Sequence, residues 1–178
     1  TVQDTTKPIL SNVPESMTVS CEGEVPAANI NSVTATDGCG GTVTVRVSDV
    51  ISNQRCANRY EITRTWTATD VCGNSSAAAQ TIVVNDTIKP IFTGELPQNI
   101  TVDCDKIPAS INLSATDNCL GNVIVVFDED AEGSNCPTYN IVRNWTARDI
   151  CGNETVYTQI ITVQDTTKPI LSNVPESM

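Results

Sequence analysis

The chain has 178 residues, a formal net charge of −11, aromatics at only 4% and no histidine. That acidity leaves no basic footprint for nucleic acid and no attraction to an anionic membrane, and no apolar run of about 18 residues is present to insert into a bilayer. Without histidine there is no Ser-His-Asp triad, Cys-His dyad or His-based zinc site. With no leader in view, the chain reads as a mature or internal fragment.

Asp4-Thr-Thr-Lys-Pro8 opens the chain as a short Lys-Pro segment. Met17–Cys21 alternates apolar and polar residues and predicts a strand, and Ser32–Thr36 predicts another. Val43, Val45 and Val47 alternate with Thr and Arg in a strand running to Ile51. Tyr60, Ile62, Trp66 and Ala68 share one face, with Glu61, Thr63, Thr65 and Thr67 opposite. Arg64, and Arg143 in the later copy, interrupt the apolar face; the stem is expected to lie on the Trp two residues on with the head at the rim, a buried pair with a carboxylate being the alternative. Ile82 and Val84 close the segment. Period-2 patterning with Gly, Asn and Asp between the runs predicts an antiparallel sheet or sandwich.

The same elements then recur. Asp4-Thr-Thr-Lys-Pro8 matches Asp86-Thr-Ile-Lys-Pro90 and Asp165-Thr-Thr-Lys-Pro169, and Met17-Thr-Val-Ser-Cys21 matches Ile100-Thr-Val-Asp-Cys104. Ala35-Thr-Asp-Gly-Cys39 matches Ala115-Thr-Asp-Asn-Cys119, and Asp70-Val-Cys-Gly-Asn74 matches Asp149-Ile-Cys-Gly-Asn153. Tyr60-x-Ile-x-Arg-x-Trp66 matches Tyr139-x-Ile-x-Arg-x-Trp145. Residues 1–17 also recur letter for letter as residues 162–178, so the parent is expected to be an array of near-identical 161-residue units. The predicted domains are a sandwich over 1–84, a second over 85–163, and the start of the next repeat at 164–178.

Eight cysteines fall into two sets, Cys21, Cys39, Cys56, Cys72 and Cys104, Cys119, Cys136, Cys151, spaced 15 to 18 residues apart within a set. With no C-x2-C knuckle, disulfides fit better than zinc and imply an oxidising compartment. Domains of this size bury little apolar area and need such cross-links.

These motifs, above all W-T-A-x-D-x-C-G-N, resemble the four-cysteine hyalin-repeat (HYR)-like domains of large Bacteroidota-type surface proteins, including gliding-type adhesins. The resemblance implies tandem immunoglobulin-like β-sandwiches arranged end to end on a cell surface. It implies no particular ligand.

Strand direction proposes a disulfide pairing. Taking the start of each domain as its top, Cys21 and Cys56 fall at the bottom, and Cys39 and Cys72 at the top. Bridged cysteines need Cα atoms within about 7 Å, which favours Cys21–Cys56, Cys39–Cys72, Cys104–Cys136 and Cys119–Cys151. The same reasoning gathers Asp4, Asp37 and Asp70 at one top, and Asp86, Asp117 and Asp149 at the other. Converging carboxylates suit Ca2+, while turn hydrogen bonds would use the same residues without metal. No cofactor is required, and Ca2+ is the one candidate. Thr5, Thr87 and Thr166 lie in D-T-[TI] sequences that resemble the O-glycosylation motif of Bacteroidota exported proteins.

The expected function is structural: a repeat of a secreted or cell-surface protein, forming a stiff stalk or filament that presents or anchors an adhesin. The alternative is an extracellular module binding glycan or protein through its polar-end loops. Catalysis is not expected. The partners are neighbouring repeats of the same chain, with lateral self-association into a filament left open, and neither nucleic acid nor direct membrane insertion is expected.

Overall fold

The computed structural model describes residues 3–133 and 138–169. The fold is all-β, as expected, and contact density divides it into two compact units. Unit 1 comprises residues 1–89 together with loops 117–122 and 149–153; unit 2 comprises 90–116, 123–148 and 154–178. The sequence repeats divide at 84/85, so unit 1 takes in two loops from the second repeat.

In unit 1 the strands are β1 (Ile9–Ser11), β2 (Met17–Val19), β3 (Thr34–Thr36), β4 (Thr44–Cys56), β5 (Arg59–Thr69) and β6 (Ser75–Asn85). They form a four-stranded sheet in the order β2-β6-β5-β4 and a two-stranded sheet, β1-β3. In unit 2 they are β7 (Ile91–Thr93), β8 (Ile100–Asp103), β9 (Ser114–Thr116), β10 (Ile124–Glu132), β11 (Thr138–Arg148) and β12 (Glu154–Gln164). These repeat the plan as β8-β12-β11-β10 and β7-β9. Each unit has the two-sheet, immunoglobulin-like architecture expected.

The alternation read from β5 is realised. Tyr60, Ile62, Trp66 and Ala68 are buried, with Ile82 and Val84 of β6 beside them. The β-branched Thr63, Thr65 and Thr67 favour the extended backbone on the other face. Each large apolar side chain buried here contributes about 1.5–3 kcal/mol. Unit 2 buries Ile141, Trp145, Ala147, Ile161 and Val163 in the same places.

Arg64 takes the alternative, a buried pair with a carboxylate. Its head is not at the rim: the side chain is 5% exposed and grips both carboxylate oxygens of Asp49 at 2.9 Å. A third bond, to the Pro26 carbonyl, is also 2.9 Å. Asp49 lies directly across the ladder from Arg64, so register delivers the partner. Arg143 repeats the arrangement with Glu129 and the Pro108 carbonyl.

The disulfides depart from expectation. Cys21 pairs with Cys119 and Cys56 with Cys151, at Cα separations of 5.2 and 5.3 Å. The expected bridges Cys21–Cys56, Cys39–Cys72 and Cys119–Cys151 do not form, and Cys39, Cys72 and Cys104 are unpaired and exposed. Cys136, the expected partner of Cys104, lies outside the described residues. Pole assignment was sound for Cys21 and Cys56: β2 and β4 both end where β6 ends, since Val19 and Tyr60 pair with Val84, and Cys56 with Arg59. Strand order is what forbids their bridge. β2 and β4 are opposite edges of the sheet, three strand spacings or about 14 Å apart, twice the reach of a disulfide. The loops of the second repeat that belong to unit 1 bring Cys119 and Cys151 within reach instead.

Candidate functional site

Unit 1 carries one polar constellation twice, at the start of each repeat. In the first copy Asp4 Oδ1 accepts the Thr6 N–H at 2.9 Å, and Asp37 Oδ2 accepts the Cys39 N–H at 3.0 Å. Asp70 Oδ1 accepts the N–H groups of Cys72 and Asn74, both at 2.8 Å, and its Oδ2 accepts from Asn74 Nδ2 at 2.9 Å. Asn74 Nδ2 also reaches the Asp4 carbonyl at 3.2 Å. The second copy follows bond for bond. Asp86 Oδ1 accepts from Ile88, and Asp117 Oδ2 from Cys119, at 3.1 and 3.0 Å. Asp149 Oδ1 takes Cys151 and Asn153 at 2.8 Å, and Asn153 Nδ2 bridges Asp149 Oδ2 and the Asp86 carbonyl. Short Asp side chains capping N–H groups two residues on are what these turn sequences favour.

The expected three-carboxylate cluster is therefore smaller than anticipated. Asp4, Asp37 and the Cys39 sulfur lie within 4.8 Å of one another, as do Asp86, Asp117 and the Cys119 sulfur. Asp70 and Asp149 stand outside these groups, and both oxygens of each accept hydrogen bonds within their own turns. What remains over is informative. Asp86 Oδ2, Asp117 Oδ1 and Asp37 Oδ1 are buried without any hydrogen-bond partner, and Asp86 is 0% exposed. A buried carboxylate oxygen without a donor is costly. Burial pushes the Asp86 carboxyl above its ordinary range, and the neighbouring Asp117 and Asp149 charges push the same way, against the Ile88 N–H and Arg59. Burial also opposes ionisation of Asp70, but there the donors from Asn74 and Cys72 prevail and its pKa is lowered.

Two unsatisfied oxygens converging beside charged neighbours fit a hard cation better than a proton relay or a nucleophile. Sulfur plays no part in such a site, since the Cys119 sulfur is held in its bridge to Cys21. The oxygens of Asp86 and Asp117 would hold the ion, leaving further positions of a six-to-eight-oxygen shell to carbonyls and water. Arg59 is close, but it donates to the carbonyls of Asp86 and Cys151, not to the carboxylate. Sequence reasoning missed Arg59, Asn74 and Asn153; the two asparagines stood in the repeated D-x-C-G-N motif.

Of the expected glycan acceptors, Thr5 and Thr87 are exposed in the segments that follow Asp4 and Asp86. Thr166 is exposed too, with its hydroxyl bonded to Asp103.

Residues 9–84 match the HYR-like domain with 4 cysteines. That stretch is the first repeat, and the second carries the same motifs. Within the HYR-like stretch none of the four cysteines pairs with another: Cys21 and Cys56 bond outside it, while Cys39 and Cys72 are unpaired. The chain is also similar to an 81.3 kDa protein of Acholeplasma phage L2, with 29% identity over 176 residues, covering 91% of this chain and 23% of that protein. Among solved structures, Drosophila N-cadherin EC1–4 aligns over 89% of this chain and 50% of its own, with 15% identity and a TM-score of 0.37. The protocadherin GammaB4 extracellular domain aligns over 95% and 36%, with 14% identity and a TM-score of 0.36. At that level of agreement the likeness carries no functional meaning. Among the described residues no helix is long and apolar enough to cross a membrane.

Proposed function

We propose that this chain is a structural repeat of an extracellular surface protein, one segment of a stiff stalk or filament, with a Ca2+ site where each HYR-like repeat begins. The observation that carries the reading is the pair of bridges Cys21–Cys119 and Cys56–Cys151, each tying one sequence repeat to a loop of the next across 98 and 95 residues. Tension along such an array is shared between the backbone and two covalent ties per repeat. Bridges of this kind persist only outside a reducing cytosol. Recurrence of residues 1–17 at 162–178 suits a spacer, whose units need only be alike.

Calcium adds to the same role. An ion held by Asp86 and Asp117 would join the segment leading into the second repeat to its own turn. It would also neutralise the carboxylates of the buried Asp86 and the half-buried Asp117. Pro8, Pro90 and Pro169 restrict the leading segments further. The test is small-angle scattering on polypeptides of one, two and three 161-residue units in millimolar Ca2+. A maximum dimension growing nearly linearly with unit number supports the stalk; a compact or freely jointed series overturns it. Calorimetry on this chain tests the ion, and an absence of heat at millimolar Ca2+, with melting unchanged by chelator, removes it.

A further inference from the structure

The two bridges obey a rule that the repeat extends. Cys21 ends the T-V-x-C strand and pairs with Cys119, which closes the following A-T-D-x-C loop. Cys56 ends β4 and pairs with Cys151 in the following D-x-C-G-N turn. The three unpaired cysteines hold the same motif positions in the other repeat: Cys39 corresponds to Cys119, Cys72 to Cys151, and Cys104 to Cys21.

At Cys39 and Cys72 the bonds that hold the backbone are already those of the bonded copies. The Cys39 N–H is held by Asp37 at 3.0 Å, as the Cys119 N–H is by Asp117 at 3.0 Å. The Cys72 N–H is held by Asp70 at 2.8 Å, as the Cys151 N–H is by Asp149 at 2.8 Å. Cys104 follows β8, which lies parallel to β12 as β2 lies parallel to β6. The turns at Cys39 and Cys72 thus carry the same hydrogen bonds where no partner is bound. Three exposed thiols would be a liability for an extracellular protein unless each has a defined destination.

We propose that Cys39 and Cys72 are receiving positions for a preceding copy of the repeat, and that Cys104 is a donating position toward a following one. Cys39 takes the T-V-x-C cysteine of the preceding repeat, and Cys72 takes the cysteine that corresponds to Cys56. Cys104 reaches the A-T-D-x-C cysteine of the next repeat. Every junction of the array then carries two bridges, and the stalk is a continuous covalent ladder. This rests on the reading of the chain as a tandem structural repeat. Each step joins two thiols: two S–H bonds break, one S–S bond forms and two protons leave. Two electrons pass to a donor disulfide, glutathione disulfide or a dithiol oxidase, which departs as two thiols.

The test uses a polypeptide of two successive 161-residue units, folded in a glutathione redox buffer and digested without reduction. Mass spectrometry should find Cys104 of the first unit joined to the Cys39 position of the second, and the Cys72 position of the second joined to a cysteine of the first. Iodoacetamide should label Cys39 and Cys72 of the first unit and Cys104 of the second. Cys104→Ser in the first unit should expose the Cys39 position of the second to labelling while Cys21–Cys119 stays intact. Linkage of Cys104 to Cys136 within one unit, of Cys39 to Cys72, or labelling of Cys104 in the first unit and of Cys39 and Cys72 in the second would overturn the proposal. Scattering separates this from the stalk reading. A linear rise in dimension without the central bridges leaves the stalk and removes the ladder; a compact particle with the bridges intact does the reverse.

Discussion

The starts of the two repeats are the same constellation in two states. At the first, Asp4 and Asp37 are partly exposed, the Cys39 thiol is free in solvent, and the Asp4 carboxylate beside it raises its pKa. At the second, Asp86 is 0% exposed, Cys119 is buried and bonded to Cys21, and Arg59 and Asn58 hold the backbone of Asp86. The turn geometry barely differs, so the turns themselves do not depend on being covered. What differs is the contact with the loops of an earlier repeat, which takes solvent from Asp86 and from the Cys119 sulfur. On the proposed ladder, the open set of turns is a socket for a preceding repeat, and filling it would bring the electrostatics of the covered set.

The largest way to break this comparison is through the bridges. Cys119→Ser should lower stability by about 4–5 kcal/mol, as expected for opening a loop of roughly a hundred residues. Cys39→Ser should stay within about 0.5 kcal/mol, as surface changes do. Denaturant unfolding of both variants reads the difference, and equal effects would mean the two ends are not distinct states.

Calcium comes next. The covered site should bind more tightly than the open one, because its oxygens have fewer competing waters. Titration calorimetry should resolve the stronger class, and Asp117→Asn should remove it while Asp37→Asn leaves it. At a free Ca2+ concentration a hundredfold above its Kd, the covered site should stabilise the fold by about 2.7 kcal/mol. Loss of the stronger class from Asp37→Asn would reverse the assignment.

A smaller contrast lies in the cores. Trp145 donates its indole N–H to the Ile111 carbonyl at 3.0 Å and packs against Phe127 and Tyr157. The Trp66 N–H is buried without a partner, and its cross-strand neighbours are Val47 and Ala78. Trp145→Phe should therefore cost about 1 kcal/mol more than Trp66→Phe, the net worth of one hydrogen bond. Thermal melts of the two variants give the difference, and a larger loss at Trp66 would contradict it.

The smallest effect is in pH. The Asp70 carboxyl is held below its ordinary 3.8, so its contribution is present above that value and is lost as pH falls through the lower folded pKa. The stability gap between the wild type and Asp70→Asn should close on acidification below about pH 4. A gap that widened instead would show that Asp70 is not ionised in its turn.

Much of this was legible from residues alone. Alternation along Tyr60–Ala68 named the buried face of β5, and repetition of short motifs named two like domains. The motif aspartates marked the turns, because an Asp followed two residues later by a free N–H is a local device that needs no distant partner. Arg64 was misread, since its neighbour Asp49 is adjacent only through the β4–β5 register, and register is a property of paired strands. The disulfides were misread for a related reason. Strand direction places a cysteine at one pole or the other, and that much follows from counting reversals along the chain. Which strand lies beside which is settled when the sheet assembles, and the order β2-β6-β5-β4 puts Cys21 and Cys56 on opposite edges. Strand direction thus placed the cysteines at the poles, while tertiary contact chose the partners, because a bond a few ångströms long is decided by lateral distance and not by position along the chain.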